Sequence, residues 1–105
     1  MRARLPQRSA EYLRFVRTLP CSVDGCRPGP SEPHHTKKQW LGVSEGGMSL
    51  KGSDFCAIAL CHEHHIEIQH RQSVAEFEDK HALEIPRVIA ATLIRFITRG
   101  QKDAD

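Results

Sequence analysis

The chain has 105 residues, of which 39% are hydrophobic and 6% aromatic, and it carries a formal net charge of +2. That length leaves no room for a second fold, and a core this lean calls for a staple such as a bound metal ion. So small a net charge argues neither for nor against a polyanionic partner, and the most apolar stretch, 88–97, is too short and too interrupted by Thr92 and Arg95 to cross a membrane.

Along the chain, residues 1–8 form a basic arm, and the arginines continue at Arg14 and Arg17 against the single acid Glu11. The basic start runs into the polar SAEYLRFVR rather than an apolar run, so no secretory signal is expected and the chain reads as cytoplasmic. In that reducing compartment the four cysteines are expected as metal ligands or buried thiols, not disulfides. Ser9 can cap a helix over 9–19, with Tyr12, Phe15, Val16 and Leu19 at helical spacing and Pro20 closing it. Residues 21–35 are rich in Cys, Gly, Pro and Ser and read as a knuckle and loop. A long glycine-rich loop over 36–54 then joins two short strands, the second predicted over 55–60. The histidine-rich CHEHHIEIQHR that follows is compatible with a helix. Ser73 and Glu76 have capping-box spacing for a helix reaching about Ala82, and Pro86 suits the first turn of a last helix ended by Gly100. The apolar positions of that last helix outnumber one stripe, which predicts packing on two sides.

Cys21 and Cys26 form a C-x4-C pair, and Cys61 with His64 a C-x2-H pair at a strand-to-helix junction. Two short loops offering two soft ligands each suit a tetrahedral structural Zn²⁺. Cys56 offers a competing choice, since Cys56 and Cys61 repeat the C-x4-C spacing. It falls in an apolar run where a free cysteine is more often a small buried hydrophobe, so Cys61 and His64 are preferred. If the metal joins these segments, it also brings His34 and His35 towards His65 and His70. His62 and His81 have no partner at ligand spacing and read as solvent-facing.

PCSVDGC, SEPHH, K-G-S-D and LCHEHH followed by a further histidine resemble phage and prophage members of the HNH (ββα-metal) endonuclease superfamily, and the similarity extends to EYLRFVRTLPC and FEDKHALEIPRVIA. The resemblance implies a small α+β, zinc-stabilised ββα-metal domain over 20–71, flanked by an N-terminal helix and by C-terminal helices over 73–99. It implies hydrolysis of DNA phosphodiester bonds by water activated at His35. One catalytic divalent metal (Mg²⁺, Mn²⁺, Ni²⁺, Co²⁺ or Zn²⁺) would be held by His34, His65 and, less securely, His70. Imidazole titrates near neutrality and suits the role of base, and a nitrogen-rich site favours Mn²⁺, Co²⁺, Ni²⁺ or Zn²⁺ over Mg²⁺.

The chain departs from the family pattern in two respects. His65 and His70 are spaced H-x4-H rather than H-x3-H, with Gln69 in the expected place, so a local π-turn would be needed for both to converge. There is no asparagine, so Ser53 or Asp54 is the expected brace for the His35 loop. Lys37, Lys38, Lys51 and Arg71 are candidates for nucleic-acid phosphate contacts, which position a strand without reading its sequence. DNA is the expected partner, and a homodimer could add specificity. Two other readings stay open: a non-catalytic zinc domain binding DNA or a phage recombination or packaging protein, and an RNA-directed nuclease.

Overall fold

In the computed structural model, which describes residues 8–26, 29–36, 53–70 and 73–100, the chain is a small α+β fold of four helices and a two-stranded sheet. The elements in order are α1 (Ala10–Arg17), β1 (Glu32–His34), a 3₁₀ turn (Asp54–Cys56), β2 (Ile58–Leu60), α2 (His62–His70), α3 (Val74–His81) and α4 (Ile85–Thr98). No described helix is long and apolar enough to cross a membrane.

Local chemistry accounts for most of the boundaries. The Ser9 hydroxyl accepts the Tyr12 N–H and the Ser73 hydroxyl accepts the Glu76 N–H, so α1 and α3 both begin at a serine cap. Helix α3 stops at Ala82, whose φ of 52° and ψ of 47° put a non-glycine residue in the left-handed region. There the Leu83 N–H reaches back to the Glu78 carbonyl at 2.9 Å. The conformation penalises a Cβ, so Ala82→Gly is expected to stabilise the protein by about 0.5–1 kcal/mol, read as a rise in thermal midpoint. Pro86 stands in the first turn of α4, where its missing N–H costs nothing.

The predicted strand over 55–60 is shorter than expected. The Ser53 hydroxyl accepts the Phe55 N–H and the Ser53 carbonyl accepts the Cys56 N–H, which winds Asp54–Cys56 into a 3₁₀ turn before β2 begins at Ile58. The strands β1 and β2 pair antiparallel with Glu32 opposite Leu60, Pro33 opposite Ala59 and His34 opposite Ile58. Three residue pairs cannot hold a sheet in water alone, and β2 is buried along its whole length beneath helices on both sides.

One core cluster gathers Ile58, Leu60, Ile68, Phe77, Ile85 and Ile89 around Cys21 and Cys61. A second joins Tyr12 and Val16 to Ala59, with the Tyr12 ring 4.8 Å from Phe96 and 5.1 Å from Phe55. Leu93 packs against both clusters, so α4 does serve two sides, although Ile94 and Ile97 remain exposed. The chain after α1 is sewn back onto it: the Ser31 N–H donates to the Arg17 carbonyl (2.9 Å) and the Ser31 hydroxyl to the Leu19 carbonyl (2.7 Å). Gly29 lies so close that a Cβ there would meet the Leu19 carbonyl oxygen at 2.8 Å. Strand β1 therefore leaves the end of α1 at a set distance.

Candidate metal centre and histidine cleft

The knuckle is built from two chain turns. Gly25, with φ of 77°, allows the reversal that ends in the Cys26 N–H donating to the Val23 carbonyl at 3.1 Å. Cys61 stands between β2 and α2, and the first turn of α2 brings His64 back over it. Cys21, Cys26, Cys61 and His64 thereby present their ligand atoms within 4.8 Å of one another. The Cys26 and Cys61 sulfurs are 3.8 Å apart, and His64 Nδ1 is 3.5, 3.5 and 3.2 Å from the sulfurs of Cys21, Cys26 and Cys61.

A tetrahedral zinc ion with ordinary bond lengths requires S···S edges of about 3.8 Å and S···N edges of about 3.5 Å. The four donors fit those edges, so the cluster can hold a metal such as zinc. Burial pushes the Cys21 thiol up to about 11, against the backbone N–H groups of Cys61 and Val23, which favour the thiolate. A thiol in such a setting stays protonated unless a cation takes the proton's place. Cys56 is outside the group: it is buried in the 3₁₀ turn as a small apolar filler.

Beyond His64 a second layer adjoins the knuckle. Glu67, one turn further along α2, receives His81 Nε2 at 3.1 Å and Lys80 Nζ at 2.8 Å, and the His81 ring lies 4.8 Å from that of His64. His81 is thus packed between α2 and α3, with a side chain 13% exposed, and is not the solvent-facing residue that its isolation in the sequence implied.

Three other histidines, His34, His35 and His65, line a separate cleft of about 660 Å³ whose walls also include Gln69 and Arg17. Strand β1 supplies His34, and His35 follows it directly. The His34 and His65 rings meet edge to face at 5.3 Å. Burial, followed by the neighbouring His65 and His35, pushes His34 down to about 4, so it is neutral and has a free lone pair at physiological pH.

Each of the other two imidazoles leans on a carboxylate. His35 Nε2 lies 2.7 Å from Asp54 Oδ1, and Asp54 is itself fixed by the Ser9 backbone N–H (2.7 Å to Oδ2) and by Arg8 (3.5 Å). His65 Nδ1 lies 2.7 Å from Glu32 Oε1, while His62 Nδ1 takes Oε2 at 2.9 Å. Those two contacts hold the Glu32 carboxyl below its ordinary value. Both contacts occupy one ring nitrogen and leave the other, His35 Nδ1 and His65 Nε2, without a carboxylate.

His70 does not join this cleft. Helix α2 is regular α-helix from His62 to His70, with no π-turn, so Gln69 occupies the position one turn after His65 and lines the cleft, while His70 is exposed. Among the described residues, the histidines around the cleft form no group of three metal donors within mutual reach. Lys37, Lys38, Lys51 and Arg71 lie outside the described residues.

A sequence model of the family described as "Protein of unknown function (DUF968)" matches residues 3–100. The chain belongs to the DUF968 family. A curated relative, "Uncharacterized protein YdfU" from Escherichia coli (strain K12), is 35% identical over 101 residues, covering 92% of this chain and 25% of the relative, so the chain spans about a quarter of that protein's length. No solved structure matches. In this DUF968 chain the carboxylates behind the imidazoles had signals in the sequence that spacing rules for ligands do not capture. Glu32 is two residues before His34 on a strand and so shares its side, and Glu67 is three residues after His64 on a helix and so shares its face.

Proposed function

We propose that the chain is a metal-dependent DNA endonuclease of the HNH, or ββα-metal, type. The observation that carries this reading is the pair of half-buried His35 with buried Asp54, whose imidazole lines the same cleft as His34 and His65. The order of β1, β2 and α2, with the histidine pair at the end of β1 and the knuckle at the β2–α2 junction, agrees with it.

With Nε2–H donated to Asp54, His35 keeps an unprotonated Nδ1 that can take a proton from water, and the carboxylate stabilises the imidazolium that results. The water oxygen attacks phosphorus as the bond to the 3′ oxygen breaks, leaving a 5′-phosphate and a 3′-hydroxyl. His34 and His65 are the residues that would hold a divalent cation, one kept neutral by burial and the other oriented by Glu32. When bound, that cation supplies charge neutralisation at the phosphate and at the leaving oxygen. Two imidazoles make a nitrogen-based site, so Mn²⁺, Co²⁺, Ni²⁺ or Zn²⁺ should support more activity than Mg²⁺.

Glu32→Gln is expected to weaken Mn²⁺ binding in the cleft about 10- to 100-fold, measured by calorimetric titration of zinc-loaded protein, with the knuckle metal retained. An unchanged affinity would remove Glu32 from this role. The reading as a whole is tested by nicking of supercoiled plasmid with each divalent ion in turn, wild type beside His35→Ala. A second reading draws on the offer of two cleft donors rather than three: a zinc domain that binds DNA or a recombination or packaging protein and cleaves nothing. Plasmid binding without nicking under any metal would select it.

A further inference from the structure

We infer that Arg17 makes the histidine cleft an anion subsite and anchors a phosphate group of the substrate strand there. The identity of the strand as DNA rests on the nuclease reading; the anion site itself does not. Arg17, the last residue of α1, lines the cleft together with His34, His35 and His65. Among the described residues no carboxylate lines it: Asp54 and Glu32 each bind an imidazole of the cleft, but neither forms part of its wall. The described polar surface offered to a ligand is therefore the Arg17 guanidinium, imidazoles and Gln69.

Arg17 makes no ion pair with any described residue, and the positions three and four before it are Arg14 and Leu13, so its own helix supplies no acid. Arg8 and Arg99, by contrast, pair with Asp54 and Glu11. The backbone of Arg17 is also tied to the catalytic strand, because its carbonyl accepts the Ser31 N–H three residues before His34. The Arg17 guanidinium shares the cleft wall with His34 and His35 and suits bidentate binding of phosphate oxygens. The apolar side chains of Leu13, Ile68 and Val74 complete the walls, and the space of about 660 Å³ exceeds what a bare phosphate fills. The cleft thus fits a phosphodiester with part of its sugar.

The test titrates zinc-loaded wild type, Arg17→Gln and Arg17→Lys with inorganic phosphate and, separately, with a dinucleoside monophosphate, following the imidazole and Arg17 side-chain signals by NMR. Plasmid nicking is measured on the same preparations. Binding of the diester is expected to exceed that of inorganic phosphate. Arg17→Gln should weaken it about 10- to 100-fold and Arg17→Lys should restore part of the loss, with nicking falling in parallel. Wild-type affinity and wild-type nicking in Arg17→Gln would overturn the inference while leaving the nuclease reading intact. Arg17-dependent diester binding by a protein that nicks no plasmid would support the subsite and remove the nuclease reading. Equal response to inorganic phosphate and diester would overturn the assignment to a strand.

Discussion

Removing the knuckle metal is expected to unfold the protein. A strong chelator, or the substitution Cys61→Ser, should abolish the cooperative thermal transition rather than lower its midpoint by a few degrees. Domains of this size have a net stability on the order of 5–15 kcal/mol, and a structural zinc site contributes a comparable amount, about 10–16 kcal/mol in small zinc-binding peptides at neutral pH. Here the metal has little to fall back on, because the sheet has only three residue pairs and Cys21 and Cys61 belong to the main core cluster. Without a cation that core would have to keep the Cys21 thiol protonated beside the His64 imidazole. Elemental analysis should find one zinc per chain, and calorimetry before and after chelation reads the loss. Cys56→Ser is the control: it should retain the metal and cost about 1–3 kcal/mol by burying a hydroxyl. A chelated protein that still melts cooperatively, or a Cys56→Ser variant that loses zinc, would overturn the four-ligand assignment.

The second large effect concerns the cleft. His35→Ala is expected to reduce plasmid nicking by about 10²- to 10⁴-fold, the usual range for loss of a general base, with zinc content and plasmid binding unchanged. Asp54→Asn should cause a smaller loss, since the imidazole stays while its tautomer and direction are released. His70→Ala should nick like wild type, because that side chain is turned away from the cleft. Equal activity in wild type and His35→Ala would point to another base. A His70→Ala variant as impaired as His35→Ala would contradict the geometry of α2.

The knuckle was legible in the sequence because tetrahedral ligation leaves a local mark: two close pairs of soft donors, each beside a turn. The serine caps and Pro86 were legible for a similar reason, since each satisfies or omits a backbone group within a few residues. The start of β2 was not, because the apolar run Phe55–Leu60 carries no indication that the Ser53 hydroxyl will wind its first residues into a turn. The side of α2 that His70 takes was open for a different reason. The resemblance brings it to the cleft only if a π-turn intervenes, and a regular helix puts Gln69 there instead. Contacts across elements, such as Glu32 to His65 or His81 to Glu67, depend on where β1 and α3 dock, and a linear pattern holds that information only as shared faces.

Cys61, His64 and His65 fall within one turn and a half of chain at the head of α2, with the knuckle donor His64 directly followed by the cleft histidine His65. A helix advances about 100° per residue, so one added or deleted residue between Cys61 and His65 cannot satisfy both centres at once. Insertion at this junction would be lethal to the pair, whereas substitution at Glu63 or Ile66 leaves the spacing intact. Over evolutionary time the two centres would then be inherited as a single indivisible segment, and descendants could alter its side chains but not its length.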